Sequence, residues 1–200
     1  MGPSAFLRIS EEDSVLVTAT EFPGLLVLEP RVFQDERGFF LETWSRRAFG
    51  AAGLDLDFLQ DNHAHSVPAG VLRGFHFQRP PQAQAKLVWV SRGAVLDAAL
   101  DLRRGSPTFG RVYARELSAE NYLRLFLPKG FAHAYLTLQP DTDFQYKVDA
   151  PYAPELEDGV LWNDPDLGFA WPEAAPLLSP KDGRLSRLRD CNTPFVFEQG

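Results

Sequence analysis

Sulfur is nearly absent from this 200-residue sequence, which has one cysteine, Cys191, and one methionine. A lone cysteine cannot close an intramolecular disulfide, so the fold must stand on its core, and a reducing, cytoplasmic setting is expected. No apolar run approaches the roughly 18 residues of a membrane span. The opening segment MGPSAFLRIS lacks the apolar stretch of a signal peptide, and Phe6 stands where myristoylation wants Ser or Thr. There is no internal repeat, no low-complexity tract, no paired Cys-x-x-Cys and no phosphate-cradling glycine loop. Positive charge is also short: twenty Lys and Arg against twenty-seven Asp and Glu leave a net charge of -7. That balance argues against binding a nucleic-acid backbone. It does not exclude one small anionic ligand, because a few clustered arginines outweigh distant carboxylates. Helical signal is sparse too, confined to 45–52 and 182–189, where Leu185 and Leu188 fall three apart.

What the chain does have is 16 Phe, 16 Pro and 15 Gly, a mixture suited to short strands and turns. At roughly 100–200 residues per domain, one domain over 1–200 is expected, large enough to bury a core without staples. Apolar alternation marks strands at 25–28, 38–43, 71–78, 86–91, 93–102, 111–117, 123–127, 132–138 and 144–148. Turn chemistry separates them at Pro80-Pro81, Gly105-Ser106-Pro107, Pro128-Lys129-Gly130 and Pro140-Asp141. In 93–102 one face carries Ala94, Leu96, Ala98 and Leu100, and the opposite face carries Asp97 and Asp101, read as wet. After Trp171 the chain is proline-rich and less periodic, and about 172–200 reads as a wrapping tail. Strands at this spacing with almost no helix predict an all-β sandwich or barrel.

Two blocks carry the chemistry. The first runs from Gly70 through Arg73, Gly74, His76 and Gln78 to Gln84, Lys86 and Gly93; the second is Pro128, Gly130 and His133. Together they resemble the paired motifs of the cupin jelly rolls, with the glycine-to-histidine spacing and the Pro-x-Gly-x-x-His element kept. Gln78 stands where metal-binding cupins place a second histidine, and Lys86 near where they place a glutamate. An ammonium in a ligand shell repels a divalent cation, so no metal is expected and the barrel mouth holds a built-in cation instead. Lysine there suits negative charge developing on a substrate oxygen. A facing histidine suits proton removal.

The chain resembles the dTDP-4-dehydrorhamnose 3,5-epimerase family from Asp35 to about Asp182. The matching pieces include Asp35 to Glu42, Gln60-Asp61-Asn62, Gly70 to Gln78, Gln84 to Lys86, Asp101 to Arg103, Gly105 to Gly110, Gly130 to His133, Tyr146, Tyr152, Trp162 to Pro165 and Leu178 to Asp182. The resemblance implies a cofactor-free epimerase that inverts C3 and C5 of a dTDP-linked 4-keto-6-deoxyhexose through enolates. It implies His76 as base, Asp182 as the carboxylate orienting it, Lys86 as the holder of the C4 oxygen and Tyr146 as the acid on the opposite sugar face. Nucleotide and sugar contacts would fall to Arg37, Glu42, Gln60, Asn62, Arg73 and His133. Phe33 and Phe40 would wall the site and Tyr152 would carry the thymine ring. A homodimer is implied, with Arg37 and Glu42 reaching the partner's site.

The sequence departs from the family's usual pattern in two places. Ala134-Tyr135 follows His133 where Gly-Phe is usual, and the stretch between Asn62 and Arg73 is one residue longer. Relatives that invert only C3 or only C5 keep the same acid–base residues, so a monofunctional epimerase is the nearest alternative. A metal-dependent cupin is disfavoured by Gln78 and Lys86, and a non-catalytic sugar-binding cupin by the acid–base pair. His63 and His65 read as residues of a polar loop with no carboxylate beside them. One geometric difficulty stands out: Arg73 and His76 have opposite parity on a strand. A bulge at Gly74, or an Arg73 lying ahead of the regular pairing, would resolve it.

Overall fold

The computed structural model describes residues 15–198, so the N-terminal segment read above for targeting signals lies outside the described residues, as does the tip of the tail. Thirteen strands follow in order: β1 Val15–Ala19, β2 Leu26–Pro30, β3 Val32–Asp35, β4 Gly38–Leu41, β5 Gln60–Ser66, β6 Leu72–Gln78, β7 Lys86–Arg92, β8 Ala94–Asp101, β9 Val112–Ser118, β10 Arg124–Leu127, β11 Phe131–Thr137, β12 Thr142–Val148 and β13 Glu157–Gly159. They form a six-stranded sheet in the order β1-β2-β10-β7-β12-β5, a five-stranded sheet β13-β6-β11-β8-β9 and a separate hairpin β3-β4. The strand pairs are antiparallel, and the two sheets stack as a jelly-roll sandwich. All nine expected strands are present. Among the described residues no helix is long and apolar enough to cross a membrane.

Three apolar layers hold the sandwich. Between the sheets, Val88, Leu125, Leu127 and Phe144 of one face meet Val95, Ala99, Leu117 and Phe131 of the other. Outside the five-stranded sheet, Phe75, Phe77, Ala98, Leu100 and Ala132 are covered by Phe169, Trp171, Leu188 and Phe195 of the chain's last part. Outside the six-stranded sheet, Leu28, Leu87 and Phe126 lie under Trp44, Phe49 and Phe58. Phe49 belongs to α1, Arg46–Ala51, whose N-cap Ser45 accepts from the amide of Ala48. Each fully buried Val, Leu or Phe among them contributes about 1.5–3 kcal/mol of transfer free energy.

Covering both faces of both sheets is what defeated two expectations. Asp97 and Asp101 are fully buried rather than wet, because β8 is an interior strand with apolar neighbours on each side. Alternation there separates two cores, not core from solvent. Val95 and Ala99, which share the Asp97 face, are the signal in the sequence that this face is inside. Asp101 is satisfied by Arg103, Ser106 and Thr108, with the Arg103 Nη2 donating at 2.7 Å. The expected helix over 182–189 is instead two single 3-10 turns, Asp182–Arg184 and Leu188–Asp190. Between them the carbonyl of Ser186 accepts from the amide of Leu161, so pairing with the preceding segment takes the backbone a helix would need.

The remaining difference is β5, a strand where the sequence, with no apolar run, predicts a polar loop around His63 and His65. Its register with β12 sets Asn62 opposite Tyr146 and Ala64 opposite Phe144, so its inner face is polar because it borders the cleft. On the outer face His63 and His65 share Asp143, at 3.0 and 2.8 Å, so they have the carboxylate neighbour that the loop reading denied them.

The parity conflict on β6 is resolved by a bulge. His133 of β11 pairs with His76, and Tyr135, two residues on, pairs with Arg73, three residues back. The extra residue is absorbed around Gly74, at φ +111°, and both Arg73 and His76 face inward. A Cβ on Gly74 would stand 2.3 Å from the carbonyl oxygen of His133 and 2.7 Å from the Cα of Ala134. Gly74→Ala should therefore cost about 2–4 kcal/mol, combining a strained φ with overlap against a central strand. Urea unfolding measures it; a loss below about 1 kcal/mol, the ordinary size of a point mutation, would mean the bulge is not tightly packed.

Candidate active site

Five strands and the tail meet at a cleft of about 270 Å³ between the sheets. β6 supplies Arg73 and His76, β11 supplies His133 and Tyr135, β12 supplies Phe144 and Tyr146, and β7 supplies Lys86. Ala64 of β5 and Ser179 and Asp182 of the tail complete the lining. All four residues expected to do chemistry, His76, Lys86, Tyr146 and Asp182, are thus gathered in one place.

His76 Nε2 lies 2.5 Å from Asp182 Oδ1. Burial pushes the Asp182 carboxyl up, but hydrogen bonds from His76, from the Ser179 hydroxyl and from the Gly74 amide outweigh it and hold the group below the usual carboxylate range. An ionised Asp182 accepts only, so Nε2 carries the proton on this edge of the imidazole, and in the neutral ring Nδ1 keeps its lone pair. The 3-10 turn at Asp182–Arg184 is set by Ser179, whose Oγ accepts from the Asp182 amide at 3.1 Å while donating to its Oδ2 at 2.8 Å.

Lys86 is only half-buried by exposed area, yet burial dominates its titration and brings it down to about 8, against the opposing pull of Glu157 and Asp97. Its ammonium stands 5.9 Å from the centre of the Tyr146 ring. Neither Lys86 nor Arg73 makes an ion pair to a carboxylate among the described residues. Burial, reinforced by Glu157 and opposed by Arg73, raises the Tyr146 phenol, so it is a protonated group at neutral pH.

His133 is buried, donates from Nε2 to Asp97 Oδ2 at 2.8 Å, and stacks over Phe144 with ring centres 5.8 Å apart. Its loop is fixed by Gly130, whose missing Cβ leaves room for the Arg103 stem that would otherwise lie 2.4 Å away. Gln78, in place of a second cupin histidine, is spent on backbone: its amide donates to the carbonyls of Gln82 and Pro151 and accepts from Ala153. A glutamine so engaged is not a ligand facing the cleft.

The other expected contacts lie away from the cleft lining. Gln60 and Asn62 stand on β5, joined by a 2.9 Å hydrogen bond, and Gln60 Oε1 accepts from the Tyr152 amide at 3.0 Å. Tyr152 is exposed and its hydroxyl donates to Glu157 at 2.7 Å. Phe33, Arg37 and Phe40 project from the β3-β4 hairpin, with Glu42 just beyond it; among the described residues Arg37 pairs only with Asp35 of the same turn. Within one chain the structure does not bring these four to the cleft. Sequence reasoning missed Asp97, Glu157 and Tyr135. Glu157 sits in a segment with no periodicity, where only proximity reveals that it links Tyr152 with Lys181.

Comparison with known proteins agrees with this architecture. A sequence profile of the dTDP-4-dehydrorhamnose 3,5-epimerase family matches residues 19–190. The dTDP-4-dehydrorhamnose 3,5-epimerase of Pseudomonas aeruginosa is 48% identical over 178 residues, covering 87% of this chain and 97% of the relative. The crystal structure of the Bacillus anthracis enzyme of that name, with TDP and PPi bound, superposes with a TM-score of 0.85 at 45% identity, covering 86% of this chain and 99% of that one. The dTDP-6-deoxy-D-glucose-3,5-epimerase of Legionella pneumophila, solved in complex with dTDP-4-keto-L-rhamnose, superposes with a TM-score of 0.87 at 39% identity, covering 92% and 100%. With its jelly roll, its cleft and these likenesses together, the chain belongs to the dTDP-4-dehydrorhamnose 3,5-epimerase family.

Proposed function

We propose that the chain converts dTDP-4-keto-6-deoxy-D-glucose to dTDP-4-keto-L-rhamnose by inverting C3 and C5 with its own side chains. The observation that carries this reading is that His76 and Tyr146 enter one cleft from opposite sheets, β6 and β12. Inversion needs a base on one face of the sugar and an acid on the other; two groups on one face would return the proton where it left. His76 Nδ1 takes the proton beside the ketone, and Asp182 stabilises the imidazolium that forms. Lys86 holds the C4 oxygen as it gains charge. Tyr146 returns a proton from the far side, and the process repeats at the second carbon.

At about 270 Å³ the cleft suits a hexose, and lies just under the range of drug-sized pockets, roughly 300–1,000 Å³. The diphosphate and thymidine would then extend over the rim, where Arg73, Gln60, Asn62 and Tyr152 stand. Arg73 is a cation with no competing carboxylate, which suits a phosphate oxygen despite the net charge of -7. We also read the chain as one functional unit acting as a homodimer. The support is the β3-β4 hairpin, which joins neither sheet and leaves Phe33, Phe39 and Phe40 exposed. Arg37 in the hairpin turn and Glu42 just beyond it would complete a neighbour's site; full activity in a chain that sediments as a monomer would contradict this.

In deuterated water, the wild-type chain should place deuterium at both C3 and C5 of the product, read by NMR. Label at one carbon selects a monofunctional epimerase, and label at neither removes this substrate. His76→Asn should lower the exchange by about 10²–10⁴-fold, the usual worth of a general base, with dTDP affinity kept. Lost dTDP affinity would make His76 a binding residue instead.

The pH profile follows from Lys86. Its pKa lies at about 8 in the folded chain, below the ordinary value, so its charge is present at neutral pH and is lost as pH rises through about 8. The kcat/KM should fall on the alkaline side with a midpoint near that value. In Lys86→Arg, whose cation persists to above about pH 12, this limb should move up by at least one unit even though the rate is lower. An unmoved limb would assign it to another group.

A further inference from the structure

Tyr135 lines the cleft and has no part in the reaction just described. It lies on β11 one alternation beyond His133, pairing with Arg73 on one side and Asp97 on the other. It is 5% exposed, and its hydroxyl is one of three buried side-chain polar atoms without a hydrogen-bond partner among the described residues. The others are Asp97 Oδ1, which can only accept while the group is ionised, and Arg124 Nε, which lies outside the cleft lining. The Tyr135 ring is fixed by stacking on Phe144, with centres 4.0 Å apart and planes 17° from parallel. Phenylalanine would keep that stacking without burying an unsatisfied hydroxyl. A buried hydroxyl with no partner is a net cost to the empty protein. It ceases to be one if a ligand supplies the partner.

We propose that the Tyr135 hydroxyl is a substrate-reading group that hydrogen-bonds an oxygen of the hexose when the sugar nucleotide enters the cleft. The hexose is favoured over the nucleotide because Tyr135 shares the cleft lining with His76, Lys86 and Tyr146, whereas Gln60 and Tyr152 do not line it. Burial, the largest influence, pushes the phenol up to about 12 against the pull of Arg73, so it is present as a donor across the working pH range. Ser66 is near enough to weigh on that titration but leaves the hydroxyl without a partner in hydrogen-bond geometry. The inference rests on the epimerase reading for the identity of the ligand.

The test is Tyr135→Phe, which deletes one oxygen and keeps the ring. Affinities for dTDP and for dTDP-glucose, which carries a hexose but no ketone to react, are measured by calorimetry. The expected result is a loss of about fivefold for dTDP-glucose, the worth of one hydrogen bond, with dTDP binding unchanged. The KM for the keto-sugar should rise by a similar factor while kcat stays near the wild-type value. Equal loss for both nucleotides would overturn the hexose contact, as would a fall in kcat at unchanged KM. Unchanged affinities with a raised thermal midpoint would mean that the hydroxyl is only a burden on the fold. Unchanged affinities with a lowered midpoint would give it to Ser66. Deuterium exchange by the wild-type chain reads the acid–base assignment independently: exchange alongside unaltered Tyr135→Phe binding sinks this inference alone, and an inert wild-type chain sinks the reading beneath it.

Discussion

The geometry of the candidate active site depends on one extra residue in β6. An undistorted strand would send Arg73 and His76 to opposite sides, one into the cleft and one into the apolar layer beneath Trp171. The bulge at Gly74 turns both inward. It does so where β6 touches β11 so closely that no side chain fits, and the Gly74 amide is itself one of the groups holding the Asp182 charge. The inward positions of the imidazole and the neighbouring guanidinium therefore follow from a single backbone irregularity. The Phe75 and Phe77 side chains anchor it from the far side by packing under the last part of the chain.

The second organising fact is that the two sheets contribute different chemistry. The five-stranded sheet brings the imidazoles, each backed by a buried or nearly buried aspartate: Asp182 for His76 and Asp97 for His133. The six-stranded sheet brings Lys86 and Tyr146, neither of which has a carboxylate hydrogen-bonded to it. Burial acts on these two in opposite senses, lowering the ammonium and raising the phenol. A cleft built this way sets the two imidazoles on one wall and a protonated phenol with an ammonium on the other. A net charge of -7 is no obstacle, since Arg73 and Lys86 both line the cleft and neither is ion-paired to a carboxylate among the described residues.

Much of this was legible in the sequence because strand alternation and turn residues are local signals. The nine expected strands came from them, whereas His76, Lys86 and His133 were singled out by the spacing of the two cupin-like motifs. What was not legible depended on what lies across a sheet. The sequence of β8 shows which residues share a face but not that both faces are covered, so Asp97 and Asp101 looked wet. The polar run of β5 looked like a loop because a strand bordering a cleft needs no apolar face. Asp182 was reached only through family resemblance; nothing in the irregular tail indicates that its turn folds back onto β6. Tyr135 was noticed as a departure from the family pattern, but its unpartnered hydroxyl is visible only in three dimensions.

The central claim is that removal and return of the proton are divided between two walls of the cleft. The direct measurement uses Tyr146→Phe in deuterated water, following by NMR both the label in unconverted keto-sugar and the amount of epimerised product. With His76 intact on its own wall, deuterium should enter the recovered substrate at the carbons beside the ketone, while product formation falls by about 10²-fold or more, the worth of a general acid. Loss of exchange and inversion to the same extent, in a chain that still binds dTDP and unfolds like the wild type, would contradict the division.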